Sequence, residues 1–207
     1  LIVKPFLNVA IPVRMIGMSK DRRGYPVPYI VFRDSTGRPH FTINSDVMRA
    51  KAIREDRCSI CGQKLLRGRW YVGGPKSAFH PHGAYVDPAM HKECVEYALQ
   101  VCPFLAMPSY AHRIDAQTLS DKTAHILADN TQDPGQPELF VAVMTTGAKE
   151  LPQPTTSYFK PRQPYVAVTY WRAGVQLDPA FGHSMAMAAI EQETPKQAPR
   201  LHIPKEA

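Results

Sequence analysis

Two pairs of metal-ligating side chains, in DRCSICGQ from Asp56 and in MHKEC from Met90, constrain this chain more than any other feature. Cys58 and Cys61 are separated by two residues, and so are His91 and Cys94. A tetrahedral structural zinc site takes four such ligands, with sulfur about 2.3 Å and nitrogen about 2.0 to 2.1 Å from the ion. Gly62, directly after the second cysteine, permits the backbone turn that brings both sulfurs of the first pair to one point. Asp87 and Pro88 read as the N-cap and first residue of a helix, so that His91 and Cys94 face one side of its opening turns. The helix N-terminus then favours the negative charge that three thiolates leave on the site. The expectation is one closed Cys3His site made by Cys58, Cys61, His91 and Cys94, holding one structural Zn2+.

Rival uses of the same residues fit less well. A thioredoxin-like redox pair needs a strand before Cys58 and a helix after Cys61, and the sequence has neither pattern there. Four cysteines in 207 residues are too few for a disulfide scaffold and suit thiolates held by metal in a reducing compartment. Cys102 follows Cys94 by eight residues. That is roughly 12 Å along an unbroken helix, too far to share the ion, so it reads as core. His80 and His82 compete with His91, but Pro81 and Gly83 give them no rigid frame; a second metal is their alternative role.

The chain as a whole reads as α+β, one domain over 1–207 with the zinc site centred in 56–105 and an irregular tail at 194–207. Its 20 prolines are about twice the usual share of roughly 5 % and argue against long regular elements. Tyr29 to Arg33 and His40 to Ile43 read as a hairpin around DSTGR, followed by a short polar helix capped by Ser45. Trp70 to Tyr85 reads as two extended pieces around Gly-Gly-Pro. Met90, Cys94, Tyr97 and Val101 form one helical stripe that Pro103 ends. Ala111 to Glu138 reads as a polar excursion, LFVAVMTT and YVAVTYWRAG as strands, LPQPTTSYFKPRQP as an extended surface segment, and DPAFGHSMAMAAIEQE as a late helix.

Knuckle, ribbon and ligand-bearing helix resemble the treble-clef zinc finger, and CSICG with MHKEC resembles the first zinc site of LIM domains, over Cys58 to Val101. CxxCG, GGP, DPAMHKECVEYAL and CPFLAMP resemble an uncharacterised family of bacterial and phage proteins with a Cys-x-x-Cys-Gly, His-x-x-Cys-Ala, Cys-Pro-Phe-Leu signature, although Val95 stands where that signature has alanine. The likeness continues more weakly through PYVAVTYWRAG and the late helix. It implies a treble-clef core with further strands packed around it, and it brings no activity with it.

The expected function is therefore non-enzymatic: a zinc-binding module that contacts nucleic acid or protein, encoded by a phage or bacterium and regulating a host process. A formal charge of +7 suits a phosphate-bearing partner. Of the basic clusters RMIGMSKDRR, MRAKAIREDR and KLLRGR, the strongest candidate is Arg67, Arg69 and Trp70, since a guanidinium pair beside an indole can hold a phosphate and stack on a base. The alternative is an HNH-like metal-dependent nuclease with His80 or His82 as base and Asp87 as a cation ligand. A hydrolase would need an open zinc position or a triad, and His112, His125 and His183 lack the partners for one. No apolar run approaches the roughly 18 to 20 residues of a membrane span. LIVKPFLNVAIPV is interrupted by Lys4, Pro5, Asn8 and Pro12, so it does not read as an export signal and the expected location is the cytoplasm, that of the host for a phage protein.

Overall fold

Leu139 to Met144 is an unbroken apolar run rich in β-formers, and such a run belongs at the centre of a covered sheet. The computed structural model, which describes residues 9–106, 124–126, 137–152 and 157–192, places it there. β3 (Arg69–Gly73), β5 (Phe140–Thr145), β8 (Ala167–Arg172) and β9 (Val175–Gln176) form an antiparallel sheet in that order. Val141, Ala142 and Val143 of β5 are fully buried between its two neighbours. Gly174, at φ +77°, makes the turn from β8 into β9 that a β-carbon would disfavour.

Helices cover this sheet. α3 (Lys92–Val101) packs beside β3 and is followed by the single turn α4 (Pro103–Ala106). α2 (Pro75–Phe79) and α5 (Pro179–Gln192) pack against each other, α2 also on β5 and α5 on β8. Gly182 lets α5 approach, because a β-carbon there would lie 2.3 Å from Cβ of Tyr170. Gly182→Ala is accordingly expected to push α5 off β8 and cost about 2 kcal/mol, the usual scale for overpacking. A lower urea midpoint with unchanged metal content is the signature.

A second sheet runs β1 (Val31–Arg33), β2 (Pro39–Ser45), β4 (Ala124–Ile126), again antiparallel. Ser45 ends β2 and caps α1 (Asp46–Arg54), its hydroxyl accepting from the Met48 amide at 3.4 Å. This hairpin and helix match the sequence reading. β6 (Ala148–Pro152) and β7 (Ser157–Pro161) form a separate two-stranded ribbon, tied to the centre by mutual backbone bonds of 2.8 Å between Tyr85 and Phe159. The mixed α+β class stands, and among the described residues no helix is long and apolar enough to cross a membrane.

Four expectations need correction. Trp70 to Tyr85 is not two extended pieces around a turn: β3 pairs with β5, and Gly74-Pro75 serves as N-cap and first residue of α2. α3 does not begin at Pro88, because Met90 is held extended by reciprocal backbone bonds of 3.0 and 2.9 Å to Trp70; His91 is its N-cap. Asp87 instead accepts from the Asn44 amide at 2.8 Å. The excursion from Ala111 contains β4, and the proline-rich segment is the β6–β7 ribbon. The tail at 194–207 lies outside the described residues.

Candidate metal centre

Cys58, Cys61, His91 and Cys94 converge so that one ligand atom from each lies within 4.8 Å of all the others. In a tetrahedron of bonds about 2.3 Å long, neighbouring sulfurs are about 3.8 Å apart, so this group is of the size a metal ion requires. Cys58 and Cys94 are fully buried and His91 is 3 % exposed.

Local structure explains the convergence. Cys58 to Cys61 is a tight loop closed by the Arg57–Lys64 bridge, the Gly62 amide donating to the Cys58 carbonyl at 2.9 Å. Gly62 has φ +72°, and a β-carbon on it would strike the Tyr29 ring at 2.6 Å, so the turn excludes other residues twice over. The second pair arrives differently. His91 precedes the first turn of α3 and Cys94 lies in that turn, while the Met90–Trp70 pairing and the Ser59 amide, 3.1 Å from the Ala89 carbonyl, lock the approach.

The surroundings of the ligands are ordered as well. The backbone amides of Cys61 and His91 point at Cys58 Sγ from 3.5 and 3.4 Å. His91 Nε2 donates to the Lys64 carbonyl at 3.0 Å, which fixes the tautomer with its lone pair on Nδ1; that atom faces Cys61 Sγ at 3.3 Å. Arg14, in the 3-10 turn Val13–Met15, pairs with Glu93 of α3, and its backbone carbonyl accepts from Gln63 at 3.1 Å. The N-terminal segment thus laps over the site and brings a positive charge to its edge.

Charge balance favours a cation. Burial pushes the Cys58 thiol up to about 11, whereas hydrogen bonds from Cys58 and Cys94 pull Cys61 down. Contacts with the Cys58 and Cys61 sulfurs, with burial, push Cys94 up. Three crowded sulfurs resist becoming thiolates together, and a divalent ion would supply the charge that allows it. The donor set fits a metal of the zinc type, which prefers thiolate and imidazole in a four-coordinate shell. With four protein ligands in place, the ion would supply cross-linking and no reactive position.

Other candidate residues are dispersed. Trp70 is 7 % exposed and packs in the core, so its indole cannot stack on a partner. Arg69 makes a bidentate pair with Asp56, one arm at 2.9 Å, while Arg67 is exposed. The trio expected to bind nucleic acid is therefore split. Arg69 and Asp56 stand instead on the wall of a cleft of about 300 Å³ with Tyr71, Glu150 and Phe159; burial raises the Tyr71 hydroxyl to about 12 and keeps it protonated. His80 Nδ1 accepts from the His82 amide at 3.2 Å, and His80, His82 and Asp87 are not drawn into a three-ligand group among the described residues. His183 lies 2.9 Å from the Tyr170 hydroxyl. His112 and the His125 side chain lie outside the described residues.

Sequence reasoning missed Arg14 and the Lys64 carbonyl. Arg14 offers only a basic residue distant in sequence, and a backbone carbonyl has no residue-type signature at all. Comparison of the chain with models of known families, with curated proteins and with solved structures finds no match.

Proposed function

We propose that Cys58, Cys61, His91 and Cys94 hold one structural zinc ion and that the protein acts by binding a partner, without catalysis of its own. The observation that carries this is the buried convergence of four ligand atoms within 4.8 Å. A treble-clef arrangement is part of the proposal, supported by the order of bridged knuckle, β3 and ligand-bearing α3. The CxxCG, HxxC and CPFL signature supports membership in the bacterial and phage family it resembles, and with it a regulatory role inside a host or parent cell.

Elemental analysis of purified protein tests the metal reading: one zinc per chain is expected, retained through gel filtration. DNA and RNA incubated with the protein in magnesium or manganese are expected to remain intact. A preparation that folds without any transition metal overturns the first half of the proposal, and protein-dependent cleavage overturns the second.

A further inference from the structure

A β-bulge on the surface creates an arrangement that the zinc site does not use. Val31 of β1 pairs with Asn44 of β2, yet the next residue, Phe32, pairs with His40, so Phe41 to Ile43 are looped out of that ladder. Bulges re-aim side chains, and this one leaves Phe41 40 % exposed on the outside of the hairpin. There it meets Arg23. The guanidinium of Arg23 lies 5.5 Å from the centre of the Phe41 ring and 5.3 Å from that of Tyr25, between two aromatic faces.

Cations surround this pair of rings. Lys20 to Pro26 forms a tight turn that presents Arg22 and Arg23 at its tip, closed by the Asp21 amide on the Tyr25 carbonyl at 2.9 Å. Arg33 donates to Ser19 at 2.6 Å and to the Gly37 carbonyl at 3.4 Å, which sets that turn beside the second one, where Arg38 is exposed. The two carboxylates in this region are engaged by local donors, the Asp21 side chain buried and that of Asp34 half-exposed. Asp21 has a side chain 6 % exposed; it accepts from the Arg23 and Tyr25 amides, each at 2.9 Å, and its other oxygen pairs with Arg23 Nε at 2.7 Å, so that Arg23 is anchored as an ordering group and the net positive charge comes from Arg22, Arg33 and Arg38. Asp34 is taken up by Thr36, the Arg38 amide and His40 within its own turn. The face that remains is aromatic and positive.

We propose that Arg23, Tyr25 and Phe41, flanked by Arg22, Arg33 and Arg38, form a docking surface for single-stranded nucleic acid. The exposed Phe41 ring can accept an unstacked base, which a duplex does not offer, while the half-buried Tyr25 supports the Arg23 guanidinium that orders Phe41 and adds its own stacking face. Arg22, Arg33 and Arg38 supply phosphate contacts that need no sequence. The inference deepens the binding reading above and rests on it for the claim that the protein works by contact, while standing apart from the metal.

The test is fluorescence anisotropy of the metal-loaded full chain with labelled oligo-dT and oligo-U of about 20 nucleotides, longer than the roughly 4 to 16 that one such surface covers, against a duplex of equal length. Saturable binding to the single strands, at least about tenfold tighter than to the duplex, is expected. Phe41→Ala should weaken it about tenfold with no change in salt dependence, and Phe41→Tyr should recover most of the loss. Arg22→Gln and Arg38→Gln should each lower the slope of log K against log salt by about 0.7. No saturable binding, equal affinity for duplex, or an indifferent Phe41→Ala overturns the surface. Stoichiometric zinc without strand binding overturns this inference alone; Phe41-dependent strand binding by a protein that holds no metal supports it and removes the zinc reading instead.

Discussion

His91→Ala and Cys94→Ala are each expected to abolish zinc retention and to melt the region from the knuckle to α3. Structural zinc contributes an apparent binding free energy of about 10 to 16 kcal/mol, comparable with the whole stability of an ordinary domain at about 5 to 15 kcal/mol. Removing one of four ligands takes away several kcal/mol of that and also leaves buried sulfur without its counter-ion. Cys58 and Cys94 are fully buried, so water cannot make up the loss. His91→Ala has a further effect, because it frees the Lys64 carbonyl that Nε2 engages at 3.0 Å and unfastens the knuckle's exit. His91→Cys separates the two contributions: a site of four thiolates still holds zinc, so that variant should keep the ion and lose only the anchoring bond. Cys102→Ala is the control, since Cys102 caps the far end of α3 and is outside the cluster. Metal content and near-ultraviolet circular dichroism, read together, decide the matter. Retention of a full equivalent of zinc by both alanine variants would refute the ligand assignment.

The parts of the fold legible in the sequence are those where one short pattern has one physical solution. LFVAVMTT is apolar without alternation and becomes the strand covered on both sides; Ser45 before a polar run becomes a helix cap; Gly174 after YVAVTYWRA becomes the turn between β8 and β9. The convergence of Cys58, Cys61, His91 and Cys94 belongs to this class too, because spacing and residue chemistry together leave few alternatives. Illegible parts depended on partners distant in the chain. Asp87-Pro88 is a sound local helix start, yet Trp70 captures the backbone of Met90 first and delays the helix to Lys92. Gly73-Gly74-Pro75 is sound turn chemistry, yet β5 supplies β3 with a better partner than a returning strand could. Trp70 beside Arg67 and Arg69 suggested a stacking surface, whereas β3 is covered on both faces, which buries the indole, and Asp56 claims Arg69. The exposed ring that does lie beside a cation, Phe41, owes its position to a bulge, and no residue type announces a three-residue slip in pairing.

Arg49 is the residue whose loss should cost most outside the metal centre. It sits on α1 at 4 % exposure, an unusual place for a guanidinium, and donates Nη2 to the Val86 carbonyl at 2.6 Å and to the Ser157 carbonyl of β7. Its guanidinium also lies over the Phe159 ring, 5.5 Å from the centre. One side chain thus joins α1, the segment leading to α3, and the β6–β7 ribbon. Burial lowers its pKa while Asp87, Asp46 and Glu150 act in the opposite direction, and an arginine remains charged under either influence. Arg49→Met preserves most of the apolar stem but leaves two carbonyls without their donor, at about 1 to 3 kcal/mol each. Against that, methionine relieves the desolvation of a charge whose Nε has no partner among the described residues, which recovers part of the loss. The balance is a destabilisation of about 3 kcal/mol, since the carbonyls stay behind when the charge goes. Arg49→Lys should lose about half as much, because the ammonium keeps the charge and its donors but has a different reach and lacks the planar group that lies over the Phe159 ring. Urea denaturation gives the magnitude, and hydrogen exchange gives the place. Protection should fall first at the Tyr85 and Phe159 amides, whose mutual 2.8 Å bonds are another of the ribbon's attachments. Equal stability of Arg49→Met and the parent would mean that the ribbon is held by those backbone bonds and ring packing, with the guanidinium only filling space between them.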